Sequence, residues 1–118
     1  MARTEASLPG AVRPRVVTVS TVAHGDEIVV QLRGDHDWST VPALAATLAS
    51  AVAFENTDLV VDLSEVQFIN AASIRVLSAA GDFMSGQGRT FALRSPSRSA
   101  RRIVDLCGMS GLCEPEGM

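Results

Sequence analysis

The sequence predicts a single α/β domain, a small mixed β-sheet packed with helices in the order ββαβαβα, with room for a short final strand. Three observations predict it. Two strand-like runs near the start are separated by His24-Gly25-Asp26, which reads as a hairpin turn. The run Leu59-Val60-Val61-Asp62-Leu63 is nearly all apolar, as a central strand covered on both faces, or by helices on one side, would be. Stretches of helical period flank that run on either side, which suggests a parallel crossover.

The elements follow in order. Residues 1–14 mix Pro, Gly, Ser and scattered charges without periodicity and read as a loose lead-in, leaving residues 15–118 for the domain. Val16, Val17, Val19 and Val22 mark the first strand over Arg15 to Val22. Glu27 to Arg33 alternates as the second strand, and Gly34 is expected to end it. Asp35 to Thr40 then forms a polar connection. The first helix starts between Ser39 and Pro42, with Val41, Leu44, Leu48 and Val52 facing the core. Asn56-Thr57-Asp58 closes that region.

After the central strand, Asn70 is a good N-cap for a helix in which Ile74, Leu77, Ala80 and Met84 recur at helical spacing. Gly86-Gln87-Gly88 ends it. Thr90 to Leu93 reads as a fourth strand. Ser95-Pro96-Ser97 opens a third helix whose inner face is expected to carry Ile103, Leu106 and Cys107.

Composition excludes several classes. A 47% apolar and 19% charged chain of 118 residues folds around one core. Its net charge of −3 offers no basic field for direct nucleic-acid binding. Four arginines between Arg94 and Arg102 read as a solvated helix face. No run is long enough to insert in a membrane, and no signal-like segment precedes the domain, so a cytoplasmic protein is expected. Cys107 and Cys113 have no second pair and read as reduced, partly buried thiols.

Catalytic equipment is missing as well. There is no phosphate-binding glycine loop and no HExxH, so neither an enzyme nor a cofactor or metal is expected. His24 and His36 fall in predicted loops and read as surface residues. Asp35 and Asp37 are explained by turn formation and by the start of the helix.

The segment Asp62-Leu63-Ser64-Glu65-Val66-Gln67-Phe68-Ile69-Asn70-Ala71-Ala72-Ser73-Ile74 runs from a strand end through a short loop into a helix. It resembles the signature D-L-S-x-V-x-F-[IM]-D-S-[STA]-G-[LI] of STAS domains of the bacterial anti-sigma factor antagonist family. Gly34-Asp35-His36-Asp37 and Met109-Ser110-Gly111-Leu112 match two further anchors of that family in order, so the resemblance covers about Val16 to Leu112. It implies a STAS-like fold and a regulator that binds an anti-sigma factor, often a GHKL-type serine kinase. It also implies that the family's C-terminal helix is missing from this chain.

In the family the kinase phosphorylates the first Ser of the D-S-[ST] element, and the added charge breaks the complex. Here that position is Ala71, the aspartate is Asn70, the next hydroxyl is Ala72 and the glycine is Ser73. The helix start is kept while the phosphoacceptor is gone. Ser73 is a weak substitute, because two residues along a helix rotate its hydroxyl by about 200°; it is expected to bond the backbone of the first turn.

The expected docking face comprises Asp37, Trp38, Asn70, Ala71, Ala72 and Ser73. Trp38 is either an interface anchor or, as the only Trp of a small domain, a core plug, and the core is favoured. The alternative functions are a nucleotide- or ligand-sensing STAS module, or a scaffold subunit of a larger signalling or transport assembly. Beside the anti-sigma factor, a homodimer or other STAS proteins are expected as further partners, with dimerisation covering the surface left by the missing C-terminal helix.

Overall fold

The computed structural model describes residues 18–54 and 56–114. Strands β1 (Thr18–His24) and β2 (Glu27–His36) form an antiparallel hairpin across Gly25 and Asp26, with Gly25 at φ +65° as so tight a turn demands. Helix α1 (Val41–Val52) crosses to β3 (Asp58–Ile69), which lies parallel to β2. Helix α2 (Ala71–Gly86) crosses to β4 (Phe91–Arg94), parallel to β3, and α3 (Arg98–Leu106) follows. The sheet order is β1-β2-β3-β4, so the predicted ββαβαβα order holds. The lead-in over residues 1–14 and the first residues of the expected first strand lie outside the described residues.

One apolar cluster joins the inner face of the sheet to all three helices. Ile28, Val30 and Leu32 of β2 meet Leu44, Leu48 and Ala51 of α1, and Ile74, Leu77, Ala80 and Met84 of α2. Leu93, Ala100 and Val104 extend it under α3. The predicted inward positions of α2 are all buried. In α1, Leu44 and Leu48 are buried, while Val52 only packs against the cluster's margin.

Two expectations about the strands are corrected together. Gly34 does not end β2, which runs on to His36, and Ser64 to Ile69 is not a loop but the second half of β3. Opposite ten residues of β2, β3 supplies twelve, with register breaks between Gln31 and Arg33 and between Gly34 and Asp35. Each break is a bulge, and each adds one residue to the inward spacing. The buried series Leu59, Val61, Leu63, Val66, Ile69 therefore steps by two, two, three and three. That pattern fits neither a strand nor a helix template, so it reads as a loop. Gly34 stands at the second bulge with φ +82°, a conformation open to glycine.

Helix α3 turns a different face inward than expected. Ala100 and Val104 are buried, Ile103 only packs against the cluster, and Leu106 is 76% exposed beside an exposed Cys107. The helix is pinned at its start instead, where Ser97 caps Ala100 N–H and also donates its hydroxyl to Val66 O at 2.7 Å. Its last turn is thereby carried past the core.

The short final strand is reduced to a single bridge, Leu93 to Cys113, with Glu114 N–H donating to Leu93 O at 2.8 Å. Arg94 fastens this tail, reaching Glu114 at 2.9 Å and Glu27 at 3.4 Å. Of the four clustered arginines, Arg94 is therefore a strand residue in an ion-pair network and not part of the α3 face. At the far end, Arg89 gathers the carbonyls after α1. Its guanidinium donates to Val52 O at 3.0 Å, Phe54 O at 2.6 Å and Thr57 O at 2.9 Å.

Candidate functional site

The site lies at the carboxyl ends of β2 and β3, where α/β sheets commonly present their binding groups. The last paired residues, His36 and Ile69, set the two strand ends side by side, and Asn70 N–H donates to His36 O at 3.0 Å. This joint brings the segment after β2 against the start of α2. Asp37 and Trp38 thus come to the same end of the molecule as Asn70 to Ser73.

Asp37 builds the first segment. Its carboxylate accepts from Ser39 N–H at 2.9 Å and from the Ser39 hydroxyl at 2.6 Å, capping a single 3₁₀ turn over Trp38–Thr40. Thr40 adds two bonds to Asp37 O, from its N–H at 3.1 Å and its hydroxyl at 3.0 Å. So rigid a turn presents Trp38 outward, 73% exposed. The expectation that the indole plugs the core is corrected. Leu44, Leu48 and their neighbours fill the core with aliphatic groups, and the cap turns Trp38 away from it.

Asn70 caps α2 from extended backbone, its Oδ1 accepting from Ser73 N–H at 2.9 Å. Ala71 is exposed and Ala72 half-buried. Ser73 is fully buried, and its Oγ has no hydrogen-bond partner in the protein. The expected bond from the Ser73 hydroxyl to the backbone is therefore not made; what holds the first turn is the Ser73 N–H. The burial also removes this hydroxyl from the reach of any modifying enzyme.

Phe68 was missed by the sequence reading. It is 48% exposed at the second bulge, next to Ile69 and Asn70. The signal was an aromatic residue between polar Gln67 and the cap, but without the bulge nothing in the period assigns it a face.

His36 is the second correction at this site. It is fully buried at the strand end, not a surface residue. Its Nε2–H donates to Arg33 O at 3.0 Å, leaving Nδ1 without a protein partner. Burial pushes the imidazole below its usual 6.5, against the opposing pull of the Arg33 carbonyl and of the Asp35 and Asp37 carboxylates. Arg33 pairs with Glu65 at 3.4 Å on the outer side of the sheet. Among the described residues no group of three or more His, Cys, Asp or Glu side chains is placed to hold a metal ion. Among the same residues no helix is long and apolar enough to cross a membrane.

Exposed at this end of the sheet are Trp38, Phe68 and Ala71.

Comparison with known proteins gives the same fold a lineage. The profile of a family described as Mlab, STAS domain, matches residues 19–114. The Mycobacterium tuberculosis protein named anti-sigma-F factor antagonist RsfB is 30% identical over 96 residues, 81% of this chain and 78% of that protein. The crystal structure of an anti-sigma factor antagonist from Mycobacterium paratuberculosis matches with a TM-score of 0.74 at 26% identity, covering 83% of both chains. The Bacillus cell fate determinant SpoIIAA in its phosphorylated form has the same fold, with a TM-score of 0.66 at 13% identity over 84% of this chain and 89% of that one. The sheet order, the capped start of α2 and the extent of these matches agree: this chain belongs to the STAS domain family, among relatives that are anti-sigma factor antagonists.

Proposed function

We propose that this protein is a cytoplasmic anti-sigma factor antagonist that docks on its partner through Asp37, Trp38, Phe68, Asn70, Ala71 and Ala72, without a phosphoryl switch at the start of α2. The single observation that carries the reading is the exposed Trp38 held by a rigid capped turn beside that helix start. An indole presented on a fixed support loses little freedom on binding, and such residues dominate interface energetics. Ala71 has no hydroxyl and the Ser73 hydroxyl is buried, so control by partner abundance or by a further regulator replaces control by phosphorylation.

The test is capture of the partner from the native cell, followed by titration. Recovery of an anti-sigma factor, with Trp38→Ala weakening its binding by about 30-fold or more, supports the proposal. Recovery of membrane-transporter subunits or other STAS proteins alone refutes it. If the partner is a serine kinase, the Asn70→Asp, Ala71→Ser double variant acquires phosphate on residue 71 while the natural chain acquires none on residues 70–73.

One observation favours a second reading, that of a scaffold subunit. Ala45, Ala49 and Val52 of α1 and Val76, Ala79 and Phe83 of α2 line a shallow, apolar groove between the two helices. Its small residues would let another STAS domain's helix approach closely. A sedimentation profile above monomer mass, collapsed by Ala79→Glu, is the outcome that would favour it.

A further inference from the structure

Three polar atoms without a protein partner lie at one joint of the backbone. They are His36 Nδ1, Asn70 Nδ2 and Ser73 Oγ, at the end of β2, the cap of α2 and its first turn. His36 and Ser73 are both fully buried. Buried polar groups left unpaired are costly, about 1–3 kcal/mol each, and native proteins satisfy nearly all of them. The residues that carry them meet through the Asn70 N–H to His36 O and Ser73 N–H to Asn70 Oδ1 bonds, and a common partner would satisfy all three.

The hydrogen-bond roles are fixed by their neighbours. His36 Nε2–H is committed to Arg33 O, so in the neutral ring Nδ1 is an acceptor. Asn70 Oδ1 is committed to Ser73 N–H, so Nδ2 is a donor. The Ser73 hydroxyl can serve either way. A molecule that donates to Nδ1, accepts from Nδ2 and pairs with the hydroxyl satisfies all three, and a water does this with the three bonds usual for buried water.

We propose that His36 positions the docking helix, acting through one internal water molecule that it shares with the cap residue Asn70 and with Ser73. This rests on the docking surface proposed above. Its consequence is a dependence of docking on the protonation of His36. A proton on Nδ1 turns the acceptor into a donor, so the water must accept there as it already does from Asn70 Nδ2, and its donation to the ring is lost. The charges acting on the ring are the Asp35 and Asp37 carboxylates on its own segment. From β3, Glu65 is engaged by Arg33. Helix α1 carries no charged residue, and α2 meets the joint with uncharged Asn70 and Ser73. Among the described residues, Asp35 and Asp37 are thus the carboxylates that act on the imidazolium, and burial outweighs them.

The experiment is a titration of the ¹⁵N-labelled full chain followed by long-range ¹H–¹⁵N spectra of the imidazoles. The expected result for the natural protein is the Nε2–H tautomer with a midpoint below 6.5. Asn70→Asp places a carboxylate at the joint and is expected to raise proton affinity at least tenfold. An unmoved midpoint in Asn70→Asp overturns the coupling. Should that variant fail to fold, the natural chain decides alone: cross-peaks from a long-lived internal water to the His36 ring and the Ser73 amide are expected, and their absence overturns the proposal. For docking, affinity for the captured partner is expected to be level above the His36 midpoint and to fall by up to tenfold for each pH unit below it. In His36→Gln, which keeps a donor for Arg33 O without titrating, it changes less than twofold. Coupling in the spectra with a flat affinity profile in the natural protein refutes the positioning role and leaves the docking surface standing; no binding at any pH refutes that surface instead.

Discussion

Replacing Arg89 by Ala tests how this small domain holds together the end opposite its docking surface. The helix α1 ends in carbonyls that no intrahelical N–H reaches. Arg89, 37 residues away from Val52, satisfies two of the carbonyls there together with Thr57 O. Hydrogen bonds from a charged donor contribute about 1.5–3 kcal/mol each when well buried. Here two bonds are part-buried and the shortest is exposed, so we take about 1 kcal/mol for each of the first two and about half that for the third. The expected loss is about 2–3 kcal/mol, a fall in melting temperature of about 10 °C for a domain of this size. Urea unfolding followed by circular dichroism reads it as a lower midpoint with an unchanged slope. Arg89→Lys retains charge but not the planar fork, and is expected to recover less than half of the loss. A loss below about 0.5 kcal/mol for Arg89→Ala would refute the reasoning, since the bonds would then be exchanged for water without cost. Partner affinity, read at a temperature where the variant is folded, is expected to be unchanged.

Further predictions concern His36, Gly81 and Ser73. In the folded chain His36 titrates below 6.5 and in the unfolded chain it does not, so between the two values the unfolded state binds the extra proton. Its contribution to stability is complete above about pH 6.5 and is lost as pH falls through the folded value; denaturation midpoints at pH 7.5, 6.5 and 5.5 should decline, and decline less in His36→Gln. A Cβ on Gly81 would sit 3.0 Å from the Phe91 ring. Gly81→Ala is therefore expected to forfeit the gain of about 1 kcal/mol that helix propensity predicts, and thermal melts showing the full gain would contradict the packing. Intact-mass measurement after incubation with kinase and ATP should find no phosphate on Ser73, and a phosphopeptide there would show that α2 opens at its first turn.

The legible parts of the fold are those where one period holds over a whole element. Helix α2 shows its face in Ile74, Leu77, Ala80 and Met84, and Asn70 announces its start. The hairpin is equally plain, because Gly25 sits where the turn requires positive φ. The end of β3 is not, because its two bulges change the step from two to three and hide the face of Phe68. Without that extension His36 is placed in a loop, and its burial is missed along with it. Trp38 failed for another reason. Composition suggested a core plug, but the orientation of the indole is decided by the hydroxyls of Ser39 and Thr40 acting on Asp37, a local hydrogen-bond pattern that hydropathy does not register. Within the proposed docking surface, Asp37 and the residues after Asn70 could be read from a motif, whereas Phe68 needed the strand pairing.

The segment that leads to Glu114 bears on how the protein behaves in a crowded solution. Strand β4 is an edge, and an uncovered edge offers its carbonyls and amides to any other extended chain. Glu114 N–H occupies Leu93 O, and Arg94 clamps the same residue from the side. Glu114 thus acts as a gatekeeper against edge-to-edge association. A chain shortened to Cys113 would keep Leu112 and Cys113 against its core and keep its docking end, yet be expected to grow turbid on standing at concentrations where the full chain stays clear.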